Sequence, residues 1–352
     1  MVQQTSLFFP RICKAVSMRN VILLGVDGSS NSDRALEWAI VEANIRNWSL
    51  RLVSTFPPTF VADPIVGASY ALAARQEAQA VLDHATKRAE AQSVRTKAHV
   101  ECGDATKVLV EHSETTKLAV VGKRGRGGFV GRLLGSVASG LAAHSHCPTV
   151  VVPHGHDTTA TELDDGHGTR GTPRNERGEQ RTTHPTFFDA VNAEDPPRQQ
   201  ESTINGLSFA DHIVIAVDSG TQGPALWEAA EMARIHSKPL ALVSVTGTTV
   251  GDPGWSLSVE DSDPYYEEEL AKLTRVVTAV AARYPDVKAS RHLFVGKPAE
   301  VLIHTTQTAD LVVLGTRGLG GFPGLLLGSV SQSVLHHGRS PMMVVPGANT
   351  VS

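Results

Sequence analysis

The chain repeats itself at a fixed offset, and that limits its fold more than any other feature. Gly122 and Gly315 stand 193 positions apart. At that offset "GDATKVLVEHSETTKLAVVG" (Gly103–Gly122) lies over "GKPAEVLIHTTQTADLVVLG" (Gly296–Gly315) without a gap. "GSVASGLAAHSHCPTVVVP" (Gly135–Pro153) lies over "GSVSQSVLHHGRSPMMVVP" (Gly328–Pro346) in the same way. Upstream, "ILLGVDGSSNSDRALEWAIVEA" matches "IVIAVDSGTQGPALWEAAEMA", with one residue fewer in the second copy. The period is too long for a solenoid. A duplicated domain is the remaining reading, and 352 residues are enough for two ordinary cores.

The copies occupy residues 18–153 and 209–348. Between them, 154–208 is rich in Gly, Pro, Thr, Asp, Glu and Arg without sustained periodicity, which predicts a disordered linker. Met1–Ser17 is expected to be a disordered tail, or sequence ahead of a start at Met18. Its apolar stretch is short and broken by Pro10, Arg11 and Lys14, unlike a secretory signal.

Each copy alternates strand and helix signals. "VILLGV" is a short continuous apolar run, as in a strand buried on both faces. "SDRALEWAIVEANIR" has helical spacing, with Ala35, Trp38, Ala39 and Ile45 near one face and Ser32 as the expected N-cap. "LRLVSTF", "TKAHVEC", "LAVVG" and "TVVVP" read as further strands, separated by helical segments. The order βαβαβαβαβ predicts an α/β fold: two tandem, doubly wound parallel-sheet domains of Rossmann-like type with right-handed crossovers. The final strands, "TVVVP" and "MMVVP", would be bare edges, so they are expected to pair antiparallel with each other or with another chain.

In such a sheet, ligands bind beyond the carboxyl ends of the strands, where the strand order reverses. "GVD", ending at Asp27, closes the first strand there, and the loop "GKRGRGGFVGRLLGS" (Gly122–Ser136) leaves the fourth. Its counterpart, "GTRGLGGFPGLLLGS" (Gly315–Ser329), has glycine at the same six positions. Glycines 122 and 125 are expected to give the backbone positive φ and to let a ligand approach closely. Gly135-Ser136 opens the next helix, whose N–H groups and dipole favour phosphate. Three or four hydrogen bonds of roughly 1.5–3 kcal/mol each, less association costs, would give micromolar binding, about −8 kcal/mol.

The spacing G-x2-G-x9-G-[ST] comprises Gly122, Gly125 and Gly135-Ser136, then Gly315, Gly318 and Gly328-Ser329. With an aspartate closing each first strand (Asp27, Asp218), the chain resembles the ATP-binding type of universal stress protein in tandem form. The resemblance implies strand order 3-2-1-4-5, pairing of the halves through their last strands, and ATP with Mg2+ as ligand. It implies that Asp27 and Asp218 contact the adenosine and that backbone around Val53 and Val243 meets the adenine. The loop glycines with Ser136 and Ser329 would hold phosphate, and Arg126, Val137 and Val330 would also touch the nucleotide. Two departures stand out. The second copy reads "VDSGTQG" where the family has Asp-Gly-Ser, which predicts unequal sites with the first tighter. Lys123 replaces a small hydroxyl residue, and would either add charge for phosphate or crowd the loop.

Other chemistries find less support. A net charge of −4 gives no general affinity for nucleic acid or anionic membrane. The basic residues Lys123, Arg124, Arg126 and Arg132 lack aromatic interleaving and suit phosphate better than nucleic acid. Three cysteines without CxxC spacing fit a reducing cytoplasm, and Cys147 reads as a small core or loop position. The G-x-G-x-x-G at Gly166, Gly168 and Gly171 lacks a strand before it and a helix after it. His144/His146 and His154/His156 are not read as metal sites, since His146 corresponds to Arg339 in the second copy. No catalytic triad or carboxylate pair repeats between copies. A cytoplasmic, non-enzymatic regulator in stress or dormancy is therefore the expectation. The alternatives are a slow ATPase or adenylate-transfer enzyme, or a scaffold that has lost its nucleotide.

Overall fold

The computed structural model of the chain describes residues 20–58, 64–126, 133–153, 208–218, 223–246, 264–316 and 327–347. The expectations for the tail 1–17, for the linker up to residue 207, for Gly318, for Arg132 and for the turn at Ser219-Gly220 lie outside them. The first half runs β1 (Val21–Gly25), α1 (Ser30–Arg46), β2 (Ser49–Phe56), α2 (Pro64–Ala91), β3 (Thr96–Cys102), α3 (Ala105–Ser113), β4 (Leu118–Gly122), α4 (Ser136–His144) and β5 (Thr149–Val152). The second runs β6 (Ile213–Ala216), α5 (Pro224–Ile235), β7 (Leu240–Thr246), α6 (Pro264–Arg283), β8 (Ala289–Val295), α7 (Pro298–Thr305), β9 (Leu311–Gly315), α8 (Ser329–His337) and β10 (Met342–Val345).

The strand order β3-β2-β1-β4-β5-β10-β9-β6-β7-β8 gives each half 3-2-1-4-5 and joins the halves in one ten-stranded sheet. Pairing is parallel within each half. At the junction it is antiparallel, with Met343 opposite Val150. This junction covers the inner edges that would otherwise stand open.

Alternation along the strands sorts side chains to two faces. Ile22 and Leu24 of β1 enter one apolar cluster with Leu36 of α1 and Leu82 of α2, while Leu23 enters the other with Leu109 of α3 and Leu141 of α4. The first cluster continues into Met232 of α5 and Val276 of α6, and the second into Leu302 of α7 and Leu335 of α8. Both cores therefore run through both halves.

Helix ends follow local chemistry. Ser29, rather than Ser32, caps α1: its Oγ accepts from the Ser32 N–H at 3.2 Å. The helix thus begins at Ser30, because Asp27 and Gly28 already turn the chain there. Asn47 ends α1 in the left-handed region at φ 54°. Asp104 caps α3, and prolines 224 and 298 open α5 and α7. Ala35 and Ala39 are buried as expected, but Ile45 is exposed, on the outward face of α1 that it shares with Val41 one turn earlier.

Helices α1 and α5 meet across the junction. In the repeat, Glu42 corresponds to Met232 and Arg46 to His236. The contacts respect that symmetry: the Glu42 carboxylate lies 2.8 Å from His236 Nε2, and Arg46 Nη2 lies 2.7 Å from Met232 Sδ.

Candidate functional site

At the carboxyl end of the first sheet, β1 stops opposite Val53 at Gly25, while β2 continues to Phe56 alongside β3. The space beyond the end of β1 is a cavity of about 390 Å³. That falls within the roughly 300–1,000 Å³ of small-molecule sites. Its walls include all eight first-half residues expected at the site: Asp27, Val53, Gly122, Gly125, Arg126, Gly135, Ser136 and Val137.

Asp27 organises the mouth. One carboxylate oxygen accepts from the Ser29 N–H at 2.9 Å and from its hydroxyl at 2.7 Å. The other accepts from the Arg126 N–H at 2.9 Å, drawing the glycine loop onto the end of β1. Gly28 between them sits at φ +73°, a conformation that favours glycine. The Asp-Gly-Ser sequence thus builds a turn as well as presenting a carboxylate.

The loop glycines do their work differently from expectation. Among the described residues, positive-φ glycines are Gly28, Gly103 and Gly296, and neither Gly122 nor Gly125 is among them. Their need is steric. A Cβ on Gly122 would come within 2.7 Å of the Asn31 backbone, and one on Gly125 within 2.4 Å of the Asp27 carboxylate. The close approach is of protein to protein, where α1 and Asp27 press on the loop.

Gly135 caps α4 with ordinary φ −75°, and no side chain satisfies that helix end. Its N–H is held by the Lys123 carbonyl at 2.9 Å, leaving Ser136 and Val137 at the start of α4 to face the cavity. Unsatisfied N–H groups at a helix start, with the positive end of its dipole, favour an anion. Arg124 and Arg126 line the same end. The Arg126 guanidinium pairs with Glu77 of α2 across the mouth, an exposed pair of small energetic weight.

The apolar end lies against β2. Val53 is buried, and its carbonyl already accepts the Val26 N–H at 2.9 Å. Alternation along the strand then turns the backbone N–H and C=O of Thr55 to that same side, beyond the end of β1. This gives a donor and an acceptor facing the cavity, two residues past the expected contact. Glu77 and Val81 on α2 also line it and were not foreseen, since nothing in a helix surface pattern reveals what it faces. Ser29 was legible, as part of Asp-Gly-Ser.

The second half repeats the scaffold. Val217 N–H donates to the Val243 carbonyl at 2.9 Å, as Val26 does to Val53. Gly328 caps α8 without a side-chain partner, and its N–H donates to the Thr316 carbonyl at 2.7 Å. Asp218 follows β6, Gly315 ends β9, and Ser329 and Val330 open α8. Gly318 lies outside the described residues.

Lys123 neither supplies charge to phosphate nor crowds the loop. Its backbone occupies the same position as that of Thr316, but its side chain turns away from the cavity into the other half, where Nζ donates to the Gly338 carbonyl at 2.8 Å. Cys147 is a buried core position, 2% exposed, and burial pushes its thiol up. His146 meets Ser113 at 3.3 Å and Glu114 at 3.9 Å.

Comparison with known proteins agrees with this architecture. The model of the universal stress protein family matches residues 18–153 and 210–346. A universal stress protein of Mycobacterium tuberculosis is 29% identical over 343 residues, covering 92% of this chain and 94% of the relative. One of Mycolicibacterium smegmatis is 31% identical, covering 92% and 96%. Among solved structures, a universal stress protein from Archaeoglobus fulgidus superposes with TM-score 0.61 at 18% identity, covering 94% of this chain and 98% of that one. Among the described residues, no helix is long and apolar enough to cross a membrane.

Proposed function

The chain belongs to the universal stress protein family, and from that premise we propose that it is a cytoplasmic regulatory protein whose first half binds ATP. One observation carries the reading. A single cavity joins an apolar strand wall at Val53, a carboxylate at Asp27 and an uncapped helix start at Ser136. Adenine fits the wall beside Thr55, the ribose hydroxyls fit the Asp27 side, and the phosphates fit the α4 start with Arg124 and Arg126. Mg2+ would be held chiefly by phosphate oxygens, as that ion is in many nucleotide sites. Among the described residues, no cluster of His, Cys, Asp or Glu forms a ready-made metal site.

The second half shares the strand ends and the α8 start, so it attracts a phosphate chain with the same backbone groups. Its sequence lacks Asp-Gly-Ser after β6, so it should hold adenosine less firmly. Mass spectrometry of nucleotide released from the denatured protein tests the reading directly. Calorimetric titration of stripped protein should give two unequal affinities, with the tighter one lost in Asp27→Ala. A preparation that carries no adenine nucleotide and gives no ATP binding isotherm would refute it. Turnover of ATP by the same preparation would make the protein an enzyme instead.

A further inference from the structure

The bond between Lys123 and Gly338 joins two parts of the molecule that the repeat keeps separate. On one side, Lys123 is the base of the first glycine loop. Its N–H donates to Val152 of β5 at 2.7 Å and its carbonyl holds the Gly135 N–H at 2.9 Å. Any shift of that loop, or of the α4 start, moves the Lys123 backbone with it. On the other side, Gly338 is the residue at which α8 ends. Its N–H donates to Val334 at 2.7 Å, and a Cβ there would meet Met342 Sδ at 2.4 Å. The far end of α8 is Ser329, in the second glycine loop. One helix of nine residues therefore runs from the Lys123 contact to the start of the second site.

Lys123 is 8% exposed, so this is a buried link rather than a surface pairing. An ammonium at a helix carboxyl end is favourably placed, and a hydrogen bond from a charged donor is among the stronger kinds. The link is also one-sided. Thr316, the counterpart of Lys123, keeps its hydroxyl within its own half, where it accepts from the Gly347 N–H at 3.2 Å. The family resemblance implies a small hydroxyl residue at this position, and of the two copies the second has it.

We propose that Lys123 is a cross-domain tether that couples the first glycine loop to α8, so that the state of one site is felt at the other. The coupling rests on the nucleotide-binding reading above, whereas the tether itself does not. A coupling of this kind is reciprocal: whatever the second site does to the first, the first does to the second.

Two measurements on the full chain separate the claims. In ligand-free protein, amide hydrogen exchange is compared for the wild type, Lys123→Met and Lys123→Thr, the last copying Thr316. Faster exchange in the last turn of α8 in both variants is expected, and so is faster exchange at Gly135. Unchanged exchange in α8 would overturn the tether. ATP titrations are then made with the second site intact and with Gly328→Val. In the wild type the first-site Kd should differ between these two backgrounds by about fivefold or more, and in Lys123→Met it should not. The same dependence with and without the lysine would overturn the coupling. Absence of any ATP isotherm in the wild type would refute both nucleotide binding and the coupling, while the exchange arm would still decide the tether.

Discussion

The Glu42 carboxylate of α1 lies 2.8 Å from the His236 ring that follows α5, and both belong to the face where the two halves meet. Glu42 is 1% exposed and also pairs with Arg46 one turn along its own helix. Burial works against its ionisation, but the His236 hydrogen bond and the Arg46 charge overcome this and hold its carboxyl below the usual range. The repeat placed Met232 and His236 opposite Glu42 and Arg46, turning one pseudo-symmetric contact into a carboxylate–imidazole hydrogen bond and the other into a sulfur contact.

Removing one partner leaves a buried charge without compensation, typically costing about 3–5 kcal/mol. Glu42→Gln and His236→Ala should each lower unfolding stability at neutral pH, by less for His236→Ala, because Glu42 then keeps its Arg46 partner. The pH dependence has a definite sign. A depressed carboxylate contributes its full stability above its ordinary value of 4.5 and loses it as pH falls through its native value. The gap between wild type and Glu42→Gln, measured by denaturant titration, should therefore narrow below pH 4.5. A gap that widens with acid would contradict the pairing.

Lys123 titrates in the opposite region. Burial, aided by neighbouring Arg124, holds its ammonium down to about 8 from the ordinary 10.5. Between those values the unfolded chain binds a proton that the native protein does not, so the stability contributed by this site rises with pH. The upper limit is ~1.4 kcal/mol per pH unit. Wild type should gain on Lys123→Met between pH 8 and pH 10 in chemical unfolding, and a constant difference would show that the ammonium is not desolvated.

The glycines of the first loop should separate by what a methyl group would strike. Gly125→Ala puts a Cβ within 2.4 Å of Asp27 Oδ2, displacing the carboxylate that holds the Arg126 N–H. ATP affinity at the first site should fall about tenfold or more, since at least one charged hydrogen bond is lost. Gly122→Ala meets backbone atoms of Asn31 at 2.7 Å and should cost stability instead, roughly 1–3 kcal/mol by overpacking. Gly135→Ala, 3.3 Å from its nearest neighbour at ordinary φ, should be the mildest. If calorimetry and thermal melts rank the three otherwise, the steric account of the loop is wrong.

The junction of the sheet offers a fourth test. Met343 of β10 is fully buried and stands opposite Val150 of β5. Met343→Asp places an unpaired carboxylate there, at a cost expected to exceed ~3 kcal/mol. With the strands parted, two edges are bared. Unfolding should split into two transitions and the protein should self-associate in size-exclusion chromatography. A single transition with a monomeric profile would mean that the junction contributes little.

The amino-acid sequence by itself determined the duplication and the α/β class, and it singled out eight of the residues that line the first cavity. These are local or periodic properties. A continuous apolar run, a capped helix or an Asp-Gly-Ser turn forms from neighbours in the chain, and an offset of 193 positions needs no coordinates to be seen. Even so, the reason for Gly122 and Gly125 was misjudged, because what presses on them is Asn31 and Asp27, roughly 90–100 residues earlier in the chain. The tertiary structure alone decided that Val53 spends its carbonyl on Val26 and leaves Thr55 facing the cavity, and that Glu77 stands over the mouth. It also decided where Lys123 goes. A lysine beside a glycine loop invites a phosphate contact, yet its stem is long enough to reach a helix end that only the antiparallel β5–β10 junction brings within 2.8 Å. Periodicity shows which residues are buried, but which partner a buried side chain meets is fixed by contacts that join distant segments, and those exist only once the two halves have packed.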